Sequence, residues 1–228
     1  MENIKAKENQ NQIQIDTYLQ KGPVNMGPWT SHIWRTDPRH LCFLLSRYKF
    51  CAKMLEGKKR VLEIGCGDAL GIPVVKQTVE MIHAIDFEPL VVKDAENRFN
   101  NEGIDGVTFS VHDITERPTE KKFDAAYSLD VIEHISPEKE NLFMLNSCAS
   151  LREHAVFIIG TPNKTSEKYA SEASKKGHIN LKSSKKLYAL MATYFHNTFI
   201  FSMNDEVIHT GYSPMAHYLL CIGVGIRS

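Results

Sequence analysis

The feature that most constrains the fold is a glycine turn set directly behind an apolar strand. Val61-Leu62-Glu63-Ile64 runs into Gly65-Cys66-Gly67-Asp68-Ala69-Leu70-Gly71, and helix-compatible sequence follows from Pro73 to Val79. Strand, glycine turn and helix start in this order build a crevice at the carboxyl end of a parallel strand, where main chain comes close to a ligand. A dinucleotide-binding turn wants its third glycine at position 70. Leu70 stands there and the next glycine is Gly71, so the dehydrogenase pattern fails.

The surrounding pattern is that of a sheet with helices on both faces. Short apolar runs at Val61–Ile64, Met81–Ile85, Val107–Val111, Phe123–Leu129 and Ala155–Ile159 alternate with helical stretches at Pro73–Val79, Pro89–Phe99 and Pro137–Ser150, the signature of a parallel α/β fold. Ahead of them, residues 1–12 are polar and aperiodic and are expected to be a disordered tail. Residues 13–57 are expected to form an N-terminal helical cap. It contains loop chemistry from Gly22 to Trp29 and an amphipathic helix from Pro38 to Glu56, with Leu41, Leu44, Leu45, Tyr48, Ala52 and Leu55 on one face. The core is expected over 58–228, with a lid over 163–186. A helix near Lys185–Tyr194 precedes two strand-like runs, Asn197–Met203 and Met215–Val224. Their connection is too short for a helical crossover, so they should pair antiparallel.

Composition excludes several classes. The 228 residues carry 27 Lys plus Arg against 27 Asp plus Glu, which removes the electrostatic argument for a dedicated nucleic-acid or membrane-surface binder. At 43% hydrophobic and 24% charged residues, wholesale disorder is ruled out. Five scattered cysteines without a C-x-x-C pair indicate a reduced, cytoplasmic compartment. No secretory signal is expected in the polar first twenty residues. The longest apolar run, Met215–Ile226, is interrupted by His217 and shorter than the roughly 20 residues a bilayer span needs.

Charge around the glycine turn points to the ligand. Glu63 and Asp68 would repel a pyrophosphate, whereas S-adenosylmethionine (SAM) has no phosphate and carries an ammonium and a sulfonium. The second strand ends at Asp86, 21 residues beyond Gly65, where a carboxylate can accept both ribose hydroxyls. Phe87 can flank the adenine, and Asp113, between His112 and Ile114, can accept from its amino group. On the cap helix, Arg47 can take the SAM carboxylate bidentately.

Val61-Leu-Glu-Ile-Gly-Cys-Gly67, Ala84-Ile-Asp86, His112-Asp113 and Phe123-Asp-Ala-Ala-Tyr-Ser-Leu-Asp-Val-Ile-Glu-His134 resemble the successive motifs of class I SAM-dependent methyltransferases. The resemblance covers about residues 58–162. It implies a Rossmann-like, seven-stranded, mostly parallel sheet whose last strand is antiparallel, and places Glu63, Gly65, Cys66, Gly67, Asp86, Phe87, Asp113, Ile114 and Ser128 around SAM. The family's loop often has glycine where Ala69 stands.

Methyl transfer from a sulfonium is an in-line displacement served largely by positioning, but a hydroxyl acceptor must also lose its proton to a base or a metal-lowered pKa. If Asp130-Val-Ile-Glu133-His134 begins a helical turn, two carboxylates and an imidazole share one face. The segment is similar to the E-x-x-E-H stretch of ubiquinone-pathway O-methyltransferases and small-RNA 3′-terminal 2′-O-methyltransferases, with Asp130 in place of Glu. In the latter a further histidine follows a Thr-Pro-Asn stretch. Thr161-Pro162-Asn163 and His178 match that arrangement. The resemblance therefore implies Asp130, Glu133, His134 and His178 as a candidate Mg²⁺ site, or a metal-free site with His134 as base or as a structural residue.

Between Lys164 and Lys186 lie seven lysines and two glutamates, suited to an anionic acceptor or to a solvated lid. The expectation is a cytoplasmic O-methyltransferase of a small polar acceptor, sugar-like or phosphorylated, with Asp130, Glu133 and His134 at the chemistry. RNA-end 2′-O-methylation and a non-catalytic SAM-binding module are the alternatives. Neutral charge speaks against nucleic acid.

Overall fold

The structure, a computed structural model, describes residues 4–227. The first three residues of the expected tail lie outside the described residues. The cap is three helices: α1 (Gln12–Lys21), α2 (Pro28–Thr36) and α3 (His40–Met54). Helix α2 falls where the sequence had shown only loop chemistry and the approach to Pro38. It starts with Gly27 as N-cap and Pro28 in the first turn, a position where the missing N–H costs nothing.

The core follows as β1 (Arg60–Ile64), α4 (Ile72–Lys76), β2 (Met81–Asp86), α5 (Pro89–Glu102), β3 (Val107–Val111), β4 (Phe123–Leu129), α6 (Glu140–Ala149), β5 (Leu151–Pro162), α7 (Glu172–Gly177), α8 (Ser184–Tyr194), β6 (Phe195–Asn204), β7 (Val207–His209) and β8 (Tyr218–Ile226). The strands form one sheet in the order β3-β2-β1-β4-β5-β8-β6-β7. β1 to β5 pair in parallel, and β8 runs antiparallel between β5 and β6. The reversal at β1, where the chain crosses from β3 to β4, opens the crevice for a ligand.

The sheet has eight strands where seven were expected. Asp205 turns the polar connection in left-handed backbone, φ 48°, and Val207–His209 returns along Ser202–Asn204 as an extra edge strand. The pairing of the last long strands is antiparallel as expected.

Both sheet faces are covered. Val61, Ile82, Ala84 and Tyr127 pack under α3, α4 and α5 with Leu55, Ile72, Val75 and Phe99. Leu62, Ile64, Phe157 and Leu219 pack under α6 and α8 with Phe143, Met144, Leu187 and Met191. Each fully buried Val, Leu, Ile, Phe or Met among them contributes about 1.5–3 kcal/mol. Gly71 serves this packing: a Cβ there would lie 1.9 Å from Cγ of Tyr48, so glycine at this position seats α3 against α4. Among the described residues, no helix is long and apolar enough to cross a membrane. All five cysteines are free.

Candidate functional site

The crevice begins where β1 ends. Gly65 has φ +76° and Gly67 φ +47°, and the amides of Gly65 and Cys66 both donate to the Ile85 carbonyl at 2.8 and 3.0 Å. A Cβ on Gly65 would come 2.3 Å from Cγ2 of Val131, so conformation and space both demand glycine there. Ala69 also lies in left-handed backbone, φ 58°, at the position where the resembled loops often carry glycine. Holding alanine there costs about 1–2 kcal/mol, offset by burial of its methyl.

Asp86 braces this turn. Its Oδ2 accepts from the Gly67 amide and its Oδ1 from the Glu88 amide, each at 3.0 Å. Phe87 beside it is 70% exposed and, with Val111 and Asp113, walls a cleft of about 360 Å³, room for a flat aromatic ring. Asp113 itself receives the amide and hydroxyl of Thr115 on Oδ1, with Ile114 buried next to it. The side chains of Cys66 and Ser128 are buried, and Ser128 donates to the Ile64 carbonyl at 3.0 Å. Asp68 is engaged differently from the sequence expectation: it accepts the first-turn Thr30 amide of α2 at 2.5 Å and so ties α2 to the glycine turn.

Glu63 lies fully buried beneath the turn. Burial pushes its carboxyl up to about 8, against the opposing pull of the Tyr127 and Tyr48 hydroxyls. Its Oε2 has no hydrogen-bond partner. A buried acceptor in this state favours a cation nearby.

Asp130 departs from the expected metal set. It sits in left-handed backbone, φ 57°, with its amide donating to Gly160, and the helical turn starts only after it, as a single 3-10 turn at Ile132–His134. The i, i+3, i+4 face therefore never forms, and Asp130 points to Arg47, whose Nη1 lies 2.7 Å from Oδ2. The Arg47 guanidinium, 5% exposed, stacks 3.7 Å above the Tyr218 ring. Burial works against its charge, but Asp130 and Tyr218 outweigh that and raise its pKa. Arg47 Nε and the Tyr218 hydroxyl are buried without partners. Tyr218 was missed because in the last apolar run it is indistinguishable from core.

Glu133, His134 and His178 do come together, with ligand atoms within 4.8 Å of one another. Glu133 is fully buried. Thr161 Oγ1 donates to its Oε2 at 3.0 Å, and its Oε1 has no partner. Burial, and then the charge of Asp130, raise its pKa. His134 Nδ1 lies 2.9 Å from the Gly177 carbonyl oxygen, which can only accept, so Nδ1 carries a proton and the neutral tautomer this contact selects has its lone pair on Nε2. Burial, with the neighbouring His134, lowers the pKa of His178. Two imidazole nitrogens and an unpartnered Glu133 oxygen within this distance can hold a divalent cation, and an imidazole lone pair can accept a proton.

A family model described as a methyltransferase domain matches residues 55–206. No curated protein sequence matches significantly. Among solved structures, the methyltransferase domain of bacterial CtHen1 superposes with TM-score 0.66 at 15% identity, covering 80% of this chain and 99% of that one. The methyltransferase in complex with the Haloferax volcanii Trm112 methyltransferase activator gives 0.69 at 14% identity, covering 94% and 98%. The N-methyltransferase NodS from Bradyrhizobium japonicum, in complex with S-adenosylhomocysteine, gives 0.60 at 15%, covering 84% and 91%. At such identities these likenesses speak to the fold.

Proposed function

Since the chain belongs to the methyltransferase-domain family and has the class I SAM-dependent fold, we propose that it transfers the methyl group of SAM to an oxygen of a small polar acceptor, sugar-like or phosphorylated, in the cytoplasm. The observation that carries the reading is the convergence of Glu133, His134 and His178 at the carboxyl ends of β4 and β5, next to the glycine turn. Asp86 takes the ribose hydroxyls, Phe87 and Asp113 the adenine, and Glu63 favours the cationic end of SAM. Arg47 offers its free Nε to the carboxylate while Asp130 holds the guanidinium in place.

The acceptor hydroxyl approaches the methyl group in line, and Nε2 of His134 takes its proton. The Gly177 carbonyl keeps the imidazole in the required tautomer and stabilises the imidazolium that forms. Glu133 Oε1 and the imidazoles of His134 and His178, without Asp130, would also hold a divalent cation, Mg²⁺ if oxygens of the acceptor complete its shell; such an ion would supply a lowered pKa at the acceptor hydroxyl.

A second reading, 2′-O-methylation of RNA 3′ ends, is favoured by the convergence of His178 with the pair at 133–134 and by the likeness to CtHen1. Methyl transfer to a panel of sugar phosphates and to short RNAs, with and without chelator, tests these readings. Loss in chelator with recovery on Mg²⁺ supports the ion, and full activity in chelator rejects it. Unchanged transfer in His134→Ala rejects the base. SAM binding without transfer in either panel, with all behaviour kept in His134→Ala, supports a binding module.

A further inference from the structure

We propose that Lys182 and Glu140, joined through Asn180, form a latch that positions His178 and His134; the proposal rests on the reading that these imidazoles serve the reaction. His178 does not come from the sheet. It arrives on the segment between β5 and α8, so something must hold that segment against the 3-10 turn that carries Glu133 and His134.

The holding contacts run through three side chains. Lys182, a residue 5% exposed, pairs through its ammonium with Oε2 of Glu140, the first residue of α6, and also donates to Asn180 Oδ1 at 2.5 Å. Asn180 Nδ2 donates to the same Glu140 oxygen at 2.7 Å, and the Asn180 amide donates to the Glu133 carbonyl at 3.0 Å. Two residues earlier the chain carries His178, and one before that the Gly177 carbonyl that orients His134. The main chain closes beneath: Lys164 N–H donates to the Lys182 carbonyl, and Asn163 bridges to Lys182. None of the three latch side chains belongs to the Glu133, His134, His178 group itself.

The energetics favour one seated position. A buried ammonium without its carboxylate is strongly disfavoured, so the pair exists only when the segment is docked, and partial seating gains little. Glu140 at the first turn of α6 is held additionally by the helix dipole. The pair thus acts on the imidazoles through their backbone, as a second layer around the reacting groups acts on catalytic geometry generally.

Two solution measurements on the full chain test this without knowledge of the acceptor. In wild type, the Nδ1 proton of His134 should give a hydrogen-bonded imidazole NMR resonance, and the Asn180 amide should exchange slowly. Lys182→Met and the milder Glu140→Gln should each lose the His134 resonance and raise Asn180 exchange at least tenfold. Tyr127 in β4 should stay protected and SAM affinity should stay within twofold, and Lys182→Arg should restore both signals. Retention of the resonance and of Asn180 protection in both variants overturns the latch, as does loss of protection throughout β4 and β5 in both. Methyl transfer in His178→Ala reports separately: wild-type transfer there refutes the role of the imidazole and leaves the structural result on the latch standing.

Discussion

Replacing Glu63 with Gln removes a buried ionisable group and keeps its shape, so it isolates what burial of this carboxyl does to the protein. The native pKa of about 8 lies above the ordinary value of 4.5. Below 4.5 the group is protonated in both the folded and unfolded states and the fold bears no penalty. As pH rises from 4.5 toward 8 the unfolded chain ionises while the native one stays protonated, so stability falls with pH and levels off above 8. At 1.36 kcal/mol per unit of pKa difference, the loss is about 5 kcal/mol by pH 9 and about 3 at pH 7. These are ceilings, because water and side-chain relaxation around the ionised carboxylate recover part of the cost. Urea unfolding of SAM-free wild type and Glu63→Gln at pH 5, 7 and 9 should give stabilities within about 1 kcal/mol of each other at pH 5 and a widening advantage for the variant above it. A cation over the turn favours the ionised carboxylate, so SAM binding at pH 7 should release protons from wild type and fewer from the variant. Parallel stability curves for the two proteins would refute the assignment of Glu63 as a buried, protonated acceptor.

Arg47→Met leaves Asp130 without its ion pair and, because water reaches the half-buried Asp130, should cost about 1.5–3 kcal/mol in chemical denaturation, together with a loss of SAM affinity. Gly65→Ala places a methyl 2.3 Å from Val131 at φ +76°. It should lose about 1–3 kcal/mol from backbone strain alone and abolish SAM binding; adding Val131→Ala should recover in a thermal melt only the part of the loss that comes from the clash.

The class of fold was legible because it rests on local signals: the strand–glycine–helix order at 61–76, a carboxylate at the end of β2, and apolar runs at regular spacing. These depend on neighbours in sequence, and the structure follows them with boundary shifts of a few residues. Side-chain direction at the end of β4 was not legible. The i, i+3, i+4 argument assumed that helical geometry starts at Asp130, whereas a left-handed residue there turns its carboxylate to Arg47, a partner 83 positions away. The same limit applies to Asp68, which reads as a free charge in the turn and in fact accepts the Thr30 amide in the first turn of α2. Strand β7 went unseen because three residues after a tight turn carry too little pattern to stand apart from a loop. The meeting of His178 with Glu133 and His134 was inferred from resemblance alone. Its physical basis, the docking of Asn180 on the Glu133 carbonyl, lies in tertiary contacts that no local spacing encodes.

The most direct measurement is isothermal calorimetry with SAM, S-adenosylhomocysteine and NAD on wild type and Asp86→Asn. A SAM-dependent methyltransferase should bind SAM and S-adenosylhomocysteine one to one, ignore NAD, and lose about tenfold or more in SAM affinity when the charge-assisted bonds from the ribose are removed. Binding of NAD without SAM would contradict the entire reading of the glycine turn.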